Sequence, residues 1–265
     1  MIGAPGGMIG APGGMNGDPG GMNGDPAERP AVIVVGAGVT GCEAAWGLAR
    51  RGVPTLLITT SLDTIANLPG DGWAFDPPPA GLLSLLADEA GGPCGWSARG
   101  LHRGAKRELE RQPAVHVLQS TVVGVRTDAV GRVIGVDTWE GVARDAARVA
   151  LCLGSFLHAR LRIGSSEEVA GRLSELADDA LYHDLLARGL GMEPRRLELA
   201  GDALAPGYTV DFQVLAADEV ARDGAVRRLP GLYAYGLCAG GSADLADAAE
   251  AGSAAGEQLA AGLPT

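Results

Sequence analysis

A chain of 265 residues with 46% hydrophobic content can bury a core, but only 4% is aromatic, so that core must be built from Ala, Val and Leu. The formal net charge of −11 excludes a generic nucleic-acid surface, which requires a basic patch. No apolar window reaches membrane-spanning length, and the four cysteines have no C-x-x-C spacing, so neither a membrane span, a disulfide framework nor a zinc site is expected.

The chain therefore reads as a reduced, cytoplasmic protein. Cys42 and Cys152 lie in apolar, small-residue settings typical of buried free thiols. His102, His116, His158 and His183 show no ligand spacing. Residues 1–26 are a seven-residue repeat, MIGAPGG passing into MNGDPGG, without the cationic start or apolar stretch of a signal peptide. Gly and Pro exclude a coiled coil, and a disordered tail is expected over residues 1–29. Met1, Met8, Met15 and Met22 each open a repeat, so a later methionine is an alternative translation start.

The segment 31–51, AVIVVGAGVTGCEAAWGLARR, holds a strand, a Gly-rich turn and a helix in that order. The β-branched run from Ala31 to Val35 suits a strand buried on both faces of a parallel sheet. Gly36, Gly38 and Gly41 then give G-x-G-x-x-G: a tight turn, a close backbone approach to a pyrophosphate, and close helix–strand packing. A ligand-free Gly-rich turn is the alternative, and the flanking strand and Ala-rich helix argue against it. Pro54 to Thr59 reads as the next parallel strand. Thr59 stands where many such domains carry a ribose-binding acid, which weakens the case for NAD.

Residues 67–80 form a Pro/Gly-rich loop, followed by helices at Gly81 to Ala90 and Leu101 to Gln112. Arg99, Arg103, Lys106, Arg107 and Arg111 read as the solvated face of the second helix. Ala114 to Gln119 is strand-like, and a β-meander over about 120–146 turns at Asp128 to Gly131. Ala147 to Leu153 is an apolar strand ending at Gly154. Residues 165–190 read as helical, with Leu173, Leu176, Leu181, Leu185 and Leu186 on one side, and 191–206 as a linker. A last strand runs from Gly231 to Gly236, and Ser242 or Asp244 caps a helix reaching about Ala261. The predicted fold is α/β: a doubly wound, Rossmann-like parallel sheet with an inserted β-meander and a small helical segment, in one domain over residues 30–262.

Two later turns, at Gly154-Ser155 and at Gly236 with the following Ala239-Gly240-Gly241-Ser242, belong beyond strand ends as the first does. Together the three resemble the FAD contacts of two-dinucleotide-fold flavoproteins; ordinary strand–helix loops are the alternative for the later two. The motif order resembles the GidA family of flavoproteins, which modify the wobble uridine of tRNA. The similarity is carried by VIVVGAGVTGCEAAWGLARRGVPTLLITTSLDTI at 32–65, the segments 102–138 and 147–164, PGYTVDF at 206–212, and 231–257. It implies that Gly36, Gly38, Thr40 and Gly41 lie on the FAD pyrophosphate and Thr59 and Thr60 near the adenosine ribose. Val122 would meet the adenine through its backbone, and Gly154 would pass close to the cofactor. Gly236 and Leu237 would lie by the ribityl chain and flavin, where the family has a polar residue in place of Leu237.

The departures bear on function. Where the family has a cysteine beside Asn-Pro, this chain reads Ala66-Asn67-Leu68-Pro69-Gly70-Asp71. Only a short stretch stands between Gly191 and Pro206, where the family carries an insertion with a second cysteine, and the family's helical C-terminal region has no counterpart. Cys94 and Cys238 match no catalytic position. The resemblance thus implies an FAD-dependent oxidoreductase related to the tRNA-modification family but without its catalytic cysteines or tRNA-binding region. An accessory subunit in wobble-uridine modification and a non-enzymatic FAD redox module are the alternatives. Expected partners are FAD and an NAD(P)H or protein electron donor, with no membrane and no direct nucleic-acid contact. The catalytic residues are not legible: Asp63, Asp71, Asp211 and His102 are candidate acid–base groups, and a cap or surface role is the simpler reading of each.

Overall fold

The computed structural model describes residues 29–68, 76–89, 97–201 and 206–263. The repeat segment with its four methionines lies outside the described residues, as do Asp71 and Cys94. The chain opens with β1 (Val32–Val35), α1 (Val39–Ala49), β2 (Thr55–Thr59), α2 (Leu82–Glu89), α3 (Ala98–Glu110) and β3 (Val115–Gln119). A meander follows: β4 (Val122–Thr127), β5 (Val133–Thr138) and β6 (Ala143–Asp145). Next come β7 (Arg148–Leu151), β8 (Arg160–Ile163), β9 (Ser166–Glu168), β10 (Ala170–Arg172), β11 (Glu175–Leu176) and α4 (Asp179–Ala187). The last elements are β12 (Met192–Leu199), β13 (Tyr208–Leu215), β14 (Leu232–Ala234) and α5 (Leu245–Ala260).

The central sheet has five parallel strands in the order β14-β7-β1-β2-β3. Strand residues alternate between its faces. Val32, Val34, Leu57 and Ala150 join the core formed with α1, α2, α3 and α5. Ile33, Val35, Leu56, Ile58 and Leu151 join the opposite core with β4, β5 and α4. With both faces covered, these strands read as continuous apolar runs. The chain leaves β1 toward β2 and β3, and later returns to the other side of β1 as β7 and β14. The switch point therefore falls between β1 and β7, where open α/β sheets bind ligands at their carboxyl ends.

Small residues let α1 and α5 pack backbone to backbone. A Cβ on Gly256 would come within 2.9 Å of Gly47 Cα, and one on Gly252 would overlap the Thr40 carbonyl oxygen. The Thr40 hydroxyl donates to Ala248 O at 2.9 Å, tying the two helices at the level of the Gly-rich turn. Asp244 caps α5 by accepting from the N–H of Ala246 and Asp247. Arg148 closes the other end, donating to Leu259 O at 2.6 Å and Ala261 O at 2.8 Å.

Two expectations are corrected. Residues 165–190 are not one helical segment: β9, β10 and β11 precede α4, which alone is helical. Gly164 and Ser174 adopt φ of 55° and 62°, so the chain turns tightly between β8 and β9 and between β10 and β11. Leu176, placed on the supposed leucine face, is 78% exposed, whereas Leu181 and Leu185 are buried. Nor are residues 191–206 a linker throughout, because β12 pairs antiparallel with β13 from Met192↔Leu215 to Leu199↔Tyr208. β12 is the edge of a second sheet, ordered β12-β13-β8-β9, which explains its charged residues and tolerates Pro194. The inward residues Tyr208, Val210, Phe212 and Val214 of β13 form that sheet's own core with Ala159, Leu161 and Ala170.

Glu43 is buried in α1, and its carboxyl oxygens accept the N–H groups of Leu82 and Leu83 at 2.8 Å each. This one side chain satisfies two free donors in the first turn of α2. Burial pushes its pKa up to about 7 against the opposing effect of those two N–H bonds. Replacing it should leave both donors without an acceptor. Glu43→Ala is expected to cost roughly 2–4 kcal/mol of unfolding free energy, read from urea titration. A loss below about 0.5 kcal/mol would show that α2 does not depend on this cap.

Candidate functional site

The Gly-rich turn is shaped by three different constraints. Gly36 has φ of 100°, and a Cβ there would lie 2.5 Å from Cys152 O, so it permits both the turn and the contact with the chain leaving β7. A Cβ on Gly41 would overlap the Gly36 carbonyl oxygen, so its bareness holds α1 tight against the turn. Gly38 differs: nothing lies within 4 Å of where its Cβ would be. That open side faces a cleft of about 630 Å³, within the usual size of small-molecule sites. No side chain caps α1, and the N–H groups of Val39, Thr40 and Gly41 have no acceptor among the described residues. Three unmet donors at the positive end of a helix dipole suit an anionic group such as a pyrophosphate.

Most of the sequence-predicted residues gather around this cleft. Gly36, Gly38, Thr40, Thr59, Thr60, Val122, Gly154 and Leu237 line it. Gly41 sits behind the turn, as its packing role requires. Gly236 lines a separate cavity of about 300 Å³. It has φ of 69°, and a Cβ there would approach the Thr40 hydroxyl oxygen to 2.7 Å. Thr59 is buried and its hydroxyl donates to Ser61 O at 3.2 Å, while Thr60 is exposed. Gly154 adopts φ of 61° where the chain leaves β7.

The second sheet and its approach supply the far wall, which the sequence pattern did not disclose. Arg172 donates to Asn67 O at 2.6 Å and to Glu175 at 2.7 and 3.1 Å, joining the β10–β11 turn to the loop after β2. Leu197, Leu199 and Tyr208 reach the cleft from β12 and β13. Asp178 also lines it, its pKa pushed up to about 7 by burial and by the adjacent Asp179. The alternation in YTVDFQVL was the available signal for this wall; Arg172 and Asp178 fell inside the segment expected to be helical.

The described candidate acid–base groups, Asp63, Asp211 and His102, do not line this cleft. Asp211 is held below the usual carboxylate range by hydrogen bonding to Arg196, with Arg162 also in contact. His102 Nδ1 lies 2.8 Å from Ile65 O, and Asp63 belongs to a short 3₁₀ turn capped by Ser61. Cys42, Cys152 and Cys238 are free and buried. Burial pushes all three thiols up, Cys238 to about 11, so none supplies a thiolate near neutral pH. Among the described residues no helix is long and apolar enough to cross a membrane, and no His/Cys/Asp/Glu cluster could hold a metal.

A parallel sheet with a Gly-rich turn at its switch point and a cleft over that turn defines a doubly wound, Rossmann-like α/β protein. The crystal structure of the oxidoreductase from Agrobacterium tumefaciens shares that fold, with a TM-score of 0.51, 15% identity and coverage of 88% of this chain and 97% of that one. The GidA-related protein from Thermus thermophilus is far more similar: 36% identical, with a TM-score of 0.78, over 87% of this chain and 98% of that chain. Aquifex aeolicus GidA superposes with a TM-score of 0.77 at 15% identity, over 87% of this chain and 63% of its own. The family model described as "Glucose inhibited division protein A" matches residues 31–225. The tRNA uridine 5-carboxymethylaminomethyl modification enzyme MnmG of Chlamydia trachomatis serovar L2b is 33% identical over 210 residues, 69% of this chain. The chain belongs to the GidA family. It spans about a third (34%) of the length of that curated relative.

The glycines give a test that needs no ligand. Gly41→Ala should destabilise the protein by at least about 2 kcal/mol in denaturant titration, since the methyl group has no room. Gly38→Ala should change stability by less than about 0.5 kcal/mol. Equal losses at the two positions would contradict the assignment of one glycine to packing and the other to the open cleft.

Proposed function

We propose that this chain binds FAD in the cleft above the Gly-rich turn and acts as an FAD-dependent oxidoreductase. The observation that carries the reading is the bare first turn of α1, where three free N–H groups and an open Gly38 face the cleft. In this reading Gly36, Gly38, Thr40 and Gly41 form the pyrophosphate cradle, and Thr59 and Thr60 attend the adenosine ribose. The Val122 backbone meets the adenine, Gly154 passes close to the cofactor, and Gly236 and Leu237 border the ribityl chain and flavin. Residues 30–262 then constitute one FAD-binding unit. Bound FAD would supply hydride transfer, with NAD(P)H or a protein as the electron donor.

The chain's own groups set the limits of that chemistry. The stretch Ala66-Asn67-Leu68 presents no thiol, and the three described cysteines are buried and protonated. The reading therefore involves no cysteine nucleophile from these positions. Family membership supports a second reading, an accessory part in tRNA uridine modification, which the wobble-uridine content of a deletion strain tests.

Purified protein reconstituted with FAD should show a bound-flavin absorbance spectrum, and anaerobic titration with NADPH or NADH should bleach it. Gly38→Val should weaken FAD binding by at least about tenfold while leaving the denaturation midpoint unchanged, because its side chain fills the pyrophosphate approach. Folded protein that stays colourless with FAD would refute the binding claim. A bound flavin that neither a nicotinamide nor oxygen alters would leave a structural flavin in place of an oxidoreductase.

A further inference from the structure

The exposed side of α3 carries a charge pattern that works against the helix. Arg99, Arg103 and Lys106 recur at i, i+4 and i+7, so they form one stripe along its surface. Arg99 and Arg103 are exposed and Lys106 is partly so. The ion pairs of this helix join Arg107 and Arg111 to Glu108 and leave the stripe without a carboxylate among the described residues. Arg99 with Arg103, and Arg103 with Lys106, are like-charge neighbours one turn apart, an arrangement that destabilises a helix. The first turn holds Arg99 and no acid, at the end where the helix dipole favours anions. Glu110, on the same side, stands in the last turn, where the dipole favours cations. The N-terminal half of α3 is therefore strongly positive in a chain of net charge −11.

The stripe begins beside the cleft. His102, one residue before Arg103, places its Nδ1 2.8 Å from Ile65 O. On either side of Ile65, Thr64, Asn67 and Leu68 line the cleft. The positive half of α3 thus abuts the same loop that borders the ligand site, on a face that no other described element covers.

We propose that the stripe of Arg99, Arg103 and Lys106 is the docking surface for a small acidic protein that carries electrons to the cleft. The inference rests on the FAD reading and names the class of its electron donor. Encounters between redox proteins bury little surface, less than about 1,200 Å², so a patch one helix long suffices. Local charge steers such partners, and salt screens more distant charge beyond about 8 Å, so the acidity of the whole chain does not prevent the approach. A nucleic acid fits less well, because three cations release at most about three counterions, too few to hold it at physiological salt. Two encounters with a one-electron carrier, each oxidising one iron–sulfur centre, supply with one proton from solvent the equivalent of a hydride.

The probe is an acidic two-iron, two-sulfur ferredoxin of the plant type. Calorimetry should show it binding the full chain, with or without FAD, at about 0.02 M salt and at least about tenfold more weakly at about 0.2 M. The triple variant Arg99→Gln, Arg103→Gln, Lys106→Gln should bind it at least about tenfold more weakly at low salt. Its urea midpoint should stay level or rise, because like-charge repulsion is relieved. With FAD bound, reduced ferredoxin should bleach the wild-type flavin at least about tenfold faster than the variant's, whereas dithionite should bleach both equally. Arg103→Gln alone serves the comparison if the triple variant does not fold. No ferredoxin binding, or equal affinity in wild type and variant, would overturn the docking surface while leaving the FAD site standing. Binding without flavin reduction would overturn the electron-carrier role. A single-stranded RNA of about 20 nucleotides that binds in the same variant-sensitive way, where ferredoxin does not, would give the stripe to nucleic acid and overturn the proposal. Folded wild-type protein that takes up no FAD would remove the FAD reading and the carrier role with it.

Discussion

The contact of the α1 backbone with its neighbours governs this molecule. Gly36 abuts Cys152 O of the chain leaving β7, Gly41 abuts Gly36 O, and Gly47 and Gly256 bring α1 and α5 together. A Cβ on Gly36, Gly41 or Gly256 would come within 3.0 Å of the facing backbone, closer than real side chains approach, and one on Gly47 would be tight at 3.2 Å. Their combined effect is to seat the first turn of α1 directly over the gap between β1 and β7, with no side chain in front of it. The same constraint accounts for Gly252 and Gly256 of α5, where a Cβ would meet the α1 backbone.

That placement sets the electrostatics of the cleft. One end presents unmet N–H groups and no fixed charge, a setting for an anionic group. The opposite wall comes from the second sheet and its approach, where Arg172 is neutralised by Glu175 and anchored on Asn67. The Arg172 contact links the loop after β2 to the β10–β11 turn, so the two walls of the cleft are joined by a hydrogen bond from an ion-paired arginine to the Asn67 carbonyl. Asp178 lies on this second wall, where burial and then the adjacent Asp179 charge push its pKa up.

The first half of the fold was legible because local signals agreed with tertiary demands. The β-branched run at 32–35, the glycine spacing and the Thr-ended β2 all pointed to one parallel sheet, and Asp244 announced α5 by its capping position. The second half was obscured where local and tertiary signals diverged. Leucines at 173, 176, 181 and 185 imitated a helical stripe, although turns at Gly164 and Ser174 break the chain into short strands. β12 was hidden because an edge strand gains its stability from β13 and carries charges where a central strand carries apolar residues. The site followed the same division. Its glycine cradle was visible in the spacing, whereas Arg172, Tyr208 and Asp178 required knowledge of which strands face the switch point. Gly236 also answers to packing, since a Cβ there would approach the Thr40 hydroxyl, while its neighbour Leu237 reaches the main cleft.

The central claim is that the bare first turn of α1 receives the cofactor's phosphates. Amide hydrogen exchange on the folded chain, with and without FAD, tests it most directly because the unmet N–H groups of Val39, Thr40 and Gly41 are themselves the reporters. FAD is expected to slow exchange in the segments around Gly36 to Gly41, Thr59 and Thr60, and Gly154, leaving α3 unchanged. Protection confined to other segments, with the first turn of α1 exchanging as fast as in the free chain, would contradict it.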